Sequence, residues 1–270
     1  MPDRYALGHS SSELRRLATQ ARLINPITSR FFREAGMTTS MRVLDVGSGA
    51  GDVAILVAQI VGDDGEVVGT DNAEAAVAVA KSRVVESGIS NVSFIEGDPS
   101  DMKFEQPFDA VVGRYFLQFL TDPVSSLAKL SRHLRPGGVI VFHELDWTGA
   151  RSSPPALGYD ICCKWSAETI KRLGADTSMG AKLPSIFSAA GLNAPSLRLE
   201  SVMGAGAECA DALHLVTDLV ETLAPDIEKL AIATREEIGL ENLFERISEE
   251  VIAKKSTVFG RSEIAAWTRR

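Results

Sequence analysis

Between residues 41 and 145 short apolar runs alternate with longer stretches whose apolar residues recur every three or four positions. The runs at 41–46, 66–70, 92–96, 110–113 and 139–145 are nearly continuous in Val, Leu, Ile and Phe. A strand buried on both faces of a parallel sheet needs such a run. The intervening stretches at 50–61, 73–86 and 123–134 carry helical periodicity, and Ser87-Gly88 closes the second of them. Strand and helix in alternation with short links predict a doubly wound α/β sheet.

The flanks follow other rhythms. Residues 10–23 predict an amphipathic helix, opened by Ser10 and Glu13 at capping-box spacing and carried by Leu14, Leu17, Ala18, Ala21 and Ile24. Asn25-Pro26 then predicts a restart, a cap followed by proline at the first helical position, running to about Gly36. After Trp147 the segment 148–158 is rich in turn residues and reads as a loop. Helices are expected at 159–173 and 183–190, a strand at 197–202, helices through most of 207–255, and a last strand at 264–267. The organisation expected is an N-terminal helical extension or lid over 1–40 and one sheet domain over 41–270. Helical insertions fall at about 148–180 and 207–255.

Composition narrows the class. The chain has 270 residues, 45% of them hydrophobic and 24% charged, enough to bury a core without cross-links. Cys162, Cys163 and Cys209 form neither a CxxC pair nor an even framework, which argues against a stapled or zinc-bound scaffold. The first residues lack the apolar core of a signal peptide, and the longest apolar stretch, from Val53 to Val61, is too short to span a bilayer. A cytoplasmic protein is expected. Acids outnumber bases 36 to 28, for a net charge of −8, and the basic residues are scattered. Nucleic acid, whose binding rests on Lys and Arg neutralising phosphates, is therefore an unfavoured partner, as is a membrane.

Candidate chemistry concentrates at Asp45-Val46-Gly47-Ser48-Gly49-Ala50-Gly51-Asp52. A buried strand ends there in a glycine turn that opens a helix, the place where ligands sit in open α/β sheets. Asp71 closes the second strand twenty residues after Gly51, where an acid can accept hydrogen bonds from ribose hydroxyls. Asp52 stands where a dinucleotide fingerprint wants its last glycine, and Asp45 and Asp52 bracket the turn with carboxylates. A pyrophosphate favours a bare positive helix end; S-adenosylmethionine, net cationic, suits an acidic rim.

On these residues the chain resembles the class I S-adenosylmethionine-dependent methyltransferases of the ubiquinone/menaquinone-biosynthesis type. Asp45 to Gly51 is similar to their first motif. Gly97-Asp98-Pro99 resembles the segment whose Asp meets the adenine amino group, Phe108 to Val112 the fourth strand, and Leu134 to Gly138 the L-x-P-G-G turn. The resemblance implies a Rossmann-like, mostly parallel sheet of seven strands, the last antiparallel, with the helical parts covering the substrate side. It implies a cofactor site of Asp45, Gly47, Ser48, Gly49, Gly51, Asp71, Asn72, Asp98, Pro99 and Arg114. The implied activity is methyl transfer to O, N or C of a small organic molecule.

Displacement in line needs chiefly an oriented nucleophile, with a general base where that nucleophile arrives protonated. His143 and Glu144, at the carboxyl end of the fifth strand, are the candidate bases; adjacent strand residues face opposite ways, so both are not expected to reach one pocket. Tyr5, Tyr115, Asp146 and Trp147 are candidate substrate contacts, and a metal site is not expected. His133 at a helix end is explained by the dipole there. His214 reads as a helix residue without a ligand, and a homodimer is allowed for. A nicotinamide-dependent oxidoreductase and a non-catalytic cofactor-binding protein of the same fold remain open as alternatives.

Overall fold

The computed structural model describes residues 11–270, in two compact units. A sheet unit holds Asn25–Glu144, Met179–Leu199 and Ile264–Arg270. A helical unit holds Leu145–Ser178, Glu200–Glu263 and the described residues up to Ile24. Tyr5 and Ser10 lie outside the described residues.

The first element, α1 (Ser11–Glu34), is one helix where two were expected, and Pro26 lies inside it. Proline there forfeits one backbone hydrogen bond. Asn25 does not cap a new helix because its side chain is used elsewhere: its Oδ1 accepts from Arg114 Nη1 at 2.7 Å. There follow β1 (Arg42–Val46), α2 (Asp52–Val61), β2 (Glu66–Asp71), α3 (Glu74–Glu86), β3 (Val92–Glu96), β4 (Phe108–Arg114), α4 (Pro123–Leu130) and β5 (Leu134–Asp146). The chain continues through β6 (Arg151–Ser153), α5 (Leu157–Arg172), α6 (Met179–Ala189), β7 (Ser196–Ala205), α7 (Ala210–Lys229), α8 (Arg235–Ile238), α9 (Leu243–Ala253) and β8 (Thr257–Arg269).

In the sheet unit β1 pairs in parallel with both β2 and β4, β3 with β2, and β5 with β4. The order β3-β2-β1-β4-β5 reverses direction at β1, which opens a crevice at that strand's carboxyl end. The end of β8 meets the start of β5: Gly137 donates to the Arg270 carbonyl and Arg270 to that of Gly138, each at 2.9 Å. Start against end makes this pair antiparallel, as expected of the last strand. Alternate residues of the central strands feed two cores. Val43, Val67, Ala110, Val112, Val139 and Val141 pack with α2 and α3 on one face. Leu44, Val46, Val68, Val111, Ile140 and Phe142 pack with α4 and α6 on the other.

Eight strands, not seven, occur among the described residues. The addition is β6, inside the segment expected to be loop, which pairs antiparallel with Thr257–Phe259. Its Ser152 amide is satisfied by Asp160 Oδ1 at 2.7 Å rather than by a second strand, so three residues suffice. In the helical unit α5 packs against α7 and α9. No side chain of its own caps α5; Glu250 from α9 does, accepting the Leu157 and Gly158 amides at 2.9 and 2.8 Å.

β7 differs from the other strands. None of its ten residues is buried, and among the described residues it pairs with β8 alone. Leu197, Leu199 and Met203 are 52%, 59% and 55% exposed. No described helix is long and apolar enough to cross a membrane.

Candidate functional site

The glycine turn between β1 and α2 is built by backbone geometry. Gly47, Gly49 and Gly51 have φ of 66°, 52° and 87°, a region that residues with a Cβ rarely enter. Gly51 is also the N-cap of α2, so amides of the first helical turn face the crevice. At Gly47 the space is closed as well as the conformation: an added Cβ would stand 2.4 Å from the Phe116 ring.

Asp71 braces this turn. Its Oδ2 accepts the Gly49 amide at 2.8 Å and its Oδ1 the Ala73 amide at 2.9 Å. Each carboxylate oxygen has further lone pairs, so an acid that fixes the turn retains capacity for a diol. Asn72 beside it is exposed. In the turn after β3 the Asp98 side chain accepts the Ser100 amide at 2.8 Å. The Pro99 carbonyl accepts from His133 Nε2 at 2.7 Å. His133 stands at a helix end as expected, and its ring in addition pins the turn after β3.

Two carboxylates flank the turn, and only one is uncompensated. Arg83 on α3 donates to Asp52 Oδ1 at 2.8 Å and to the Ala50 carbonyl at 2.6 Å. Both carboxylates bracket the turn as expected, and the structure adds that the charge of Asp52 is engaged by Arg83. Asp45 is 1% exposed, and among the described residues neither its oxygens nor the buried Ser48 hydroxyl meets a side-chain hydrogen-bonding partner. Burial pushes its carboxyl up to about 8; Arg114 and the Ala54 amide oppose the shift, and Asp71 and Asp52 add to it. A buried carboxyl so weakly compensated is costly in a native protein, and such groups concentrate where a ligand completes the set.

The end of β4 forms the other wall. Arg114 Nη1 donates to Asn25 Oδ1 and, at 3.2 Å, to Thr28 Oγ1. Thr28 Oγ1 in turn shares a 3.1 Å hydrogen bond with His143 Nδ1. The register places Arg114 beside His143. Phe31 meets the His143 ring edge-on, and Tyr115 lies against it with centroids 5.4 Å apart. Tyr115 has φ of 56°, an uncommon conformation for a bulky residue, with its amide held by the His143 carbonyl at 2.9 Å.

Glu144 is fully buried. Its Oε1 accepts the amides of Phe116 and Leu117 at 2.9 and 2.7 Å. Consecutive β5 residues thus point apart, as strand geometry requires: His143 to α1 and Glu144 to the loop after β4. Gln118 donates from Nε2 to the Tyr115 carbonyl at 3.2 Å, and its buried Oε1 has no partner in the structure.

The two remaining candidates belong to the helical unit. Asp146 is buried, and its Oδ1 accepts the Thr148 amide at 2.8 Å. Trp147 is buried beneath Arg261, whose guanidinium carbon is 5.5 Å from its ring, and its indole N–H has no partner in the structure. Among the described residues no group of three or more His, Cys, Asp or Glu could hold a metal ion.

The sheet unit therefore brings Asp45, the glycine turn and Asp71 together at the end of β1, with Arg114 at the end of the neighbouring β4, Tyr115 just after it, and His143 and Glu144 on β5. Sequence reasoning missed Thr28 and Arg83 and the roles of Asn25 and His133. All of these act across more than thirty residues of chain, where a local pattern carries no signal.

A family model described as a methyltransferase domain matches residues 37–191. The ubiquinone/menaquinone biosynthesis C-methyltransferase of Coxiella burnetii is 32% identical over 140 residues, 51% of this chain and 54% of that protein. The demethylmenaquinone methyltransferase of Staphylococcus aureus is 34% identical over 113 residues, 42% of this chain and 46% of that protein. The chain thus spans about half the length of the curated relatives it matches. Among solved structures, a methyltransferase-like protein of Bacillus halodurans superposes with a TM-score of 0.58 at 17% identity. It covers 89% of this chain and 97% of its own, a likeness of fold.

Proposed function

Because this chain belongs to the methyltransferase-domain family, matched over more than half its length, we propose that it binds S-adenosylmethionine and transfers its methyl group to a small organic molecule. The carrying observation is Asp45, a buried carboxyl beside a glycine turn. Its oxygens meet no side-chain donor among the described residues, and of backbone donors only the Ala54 amide opposes the upward shift. A ligand bearing an ammonium and a sulfonium supplies the missing donors and charge. The buried Ser48 hydroxyl, also without a side-chain partner among the described residues, fits the same polar ligand.

In this reading Asp45 and Ser48 hold the amino acid end, the amides at Gly49 and Gly51 line the turn, and Asp71 accepts from the ribose hydroxyls. Asp98 and the turn pinned by His133 take the adenine. S-adenosylmethionine supplies an electrophilic methyl carbon on a sulfonium. Arg114 and Tyr115 form the wall towards the acceptor, with Arg114 held by Asn25 and Thr28. Orientation supplies most of the acceleration, on the order of 7–11 kcal/mol for well-aligned groups. His143 and Glu144 act as positioning residues: one ties β5 to α1, the other fixes the loop after β4. The acceptor's own acidity then carries more of the proton chemistry than a protein base does.

The relatives named for ubiquinone and menaquinone biosynthesis support a small aromatic acceptor, quinol-like in shape. Asp146 and Trp147 are substrate-side residues in this proposal, and Tyr5 and Asn72 keep the roles the family resemblance gives them. The proposal includes a cytoplasmic location, no nucleic-acid partner and association of the chain with itself. Isothermal titration with S-adenosylmethionine, S-adenosylhomocysteine and NADH tests the core of it. Micromolar binding of the first two with none of NADH is expected, and the reverse would overturn it.

A further inference from the structure

We propose that β7 is the surface through which two copies of this chain join, edge to edge, into one continuous sheet. The inference is independent of the chemistry at the glycine turn.

A strand at a sheet edge offers unpaired N–H and C=O groups, and folded proteins blunt such edges with short strands, prolines, inward charges or a covering helix. Along Ser196–Ala205 β7 is neither short nor interrupted by proline, and its two charges, Arg198 and Glu200, alternate with Leu197, Leu199 and Ser201 and so lie on the opposite face. It is ten residues long, carries no proline, and has no buried residue on either face. Leu197, Leu199 and Met203 share one face and are each more than half exposed. A long apolar edge of this kind is a pairing site.

The occupant follows from self-complementarity. A two-fold antiparallel ladder centred on Leu199 sets Leu199 opposite Leu199 of the second copy and Leu197 opposite Ser201. It also sets Arg198 opposite Glu200, twice by symmetry. Opposite charges directly across an antiparallel pair stabilise it, and like charges destabilise it. Centring one residue earlier would face Arg198 with Arg198, and one later Glu200 with Glu200. Centring on Ser201 pairs Leu199 with Met203 but leaves both charges against uncharged residues. The register on Leu199 is the one of these four that satisfies charge and apolar contact together. Arg198 already reaches Glu34 at 3.2 Å on an exposed surface, so a second acid across the two-fold adds to an existing ion pair.

The ladder would also be isologous, the form most homodimers take. Such a pair closes on itself, so the edge is consumed and no fibre propagates.

The test is the mass of the full chain by analytical ultracentrifugation across 1–100 µM protein. Wild type is expected to reach twice the mass of the chain. Arg198→Glu makes both cross-pairs repulsive and should weaken the dimer about tenfold or more. Glu200→Arg should do the same, and the double exchange R198E/E200R should restore it. L199K, which places two ammonium groups across the two-fold, should leave a monomer. Thermal melts and S-adenosylmethionine titrations on each variant show that the fold and cofactor site are intact. A monomeric wild type would overturn the proposal, as would a dimer indifferent to R198E or a double exchange that fails to recover the single. Loss of S-adenosylmethionine binding in a variant that still dimerises would bear on the proposed function alone.

Discussion

Glu144 and Leu117 are joined by a 2.7 Å hydrogen bond from the Leu117 amide to the buried carboxylate, although 27 residues separate them in the chain. The same oxygen takes the Phe116 amide, so one side chain fixes the direction of the loop after β4, the wall towards the acceptor in the proposed function. Hydrogen bonds to charged groups contribute about 1.5–3 kcal/mol each. Glu144→Ala should lower stability by about 2–4 kcal/mol and cut kcat/KM for methyl transfer by one to two orders of magnitude. Glu144→Gln keeps an accepting oxygen and should recover most of both. Equal loss in the two variants, measured by denaturant titration and steady-state kinetics, would argue for a base and against a brace.

Asp45 predicts a dependence on pH. Its carboxyl lies at about 8 in the folded chain, above the ordinary 3.8, so the folded state holds a proton that the unfolded state has released between those values. Its contribution to stability is therefore full below pH 4 and is lost as pH rises towards 8, on the order of 5 kcal/mol across about four units. Asp45→Asn should flatten that slope and raise the melting temperature of the ligand-free protein at pH 8. Binding a cationic ligand should expel the proton, so that affinity for S-adenosylmethionine at pH 7 improves with pH and calorimetric heats depend on the buffer. Asp45→Asn should bind at least tenfold more weakly and without the proton release. Buffer-independent heats in wild type would contradict this assignment.

Gly47 and Phe116 should behave as a coupled pair. Gly47→Ala suffers both a left-handed φ and a 2.4 Å approach to the ring, and should lose roughly 2–4 kcal/mol of stability and most cofactor affinity. Phe116→Ala in the same chain removes the collision and leaves the backbone cost. The double variant should recover part of the loss, about 1 kcal/mol or more of coupling. Strict additivity in a double-mutant cycle would mean that the ring is not what limits this position.

Asp71 serves the turn and, in the proposed function, the ribose. Asp71→Ala frees the Gly49 and Ala73 amides and should weaken S-adenosylmethionine by about 2–4 kcal/mol, with a smaller loss of stability. Asp71→Asn retains one accepting oxygen and should fall between. Titration of S-adenosylmethionine against methionine alone separates the roles: a ribose contact affects the nucleoside only, while a disordered turn weakens both.

Much of this was legible in the sequence, and the rest was not for identifiable reasons. The glycine turn, Asp71 and the parallel core rest on local conformation and on runs such as Val139 to Phe142, which a single window of chain reveals. The continuity of α1 through Pro26 was hidden because the side chain that predicts a cap, Asn25, is claimed by Arg114 from 89 residues away. The partner of Asp52 was hidden likewise, since Arg83 lies 31 residues on. β6 escaped notice because three residues with a side-chain partner for the Ser152 amide leave no periodic trace. The positions of His143 and Glu144 on opposite sides of β5 followed from alternation; what each would hold did not.

The left-handed Tyr115 carries a consequence for how this chain tolerates insertion and deletion. That one backbone rotation turns β4 out of the sheet and aims the next two amides at Glu144. An extra residue on either side of it would swing both donors away from the carboxylate and leave it enclosed without them. The loop can therefore exchange side chains far more freely than it can change length, and variation in its size should be found only beyond Leu117.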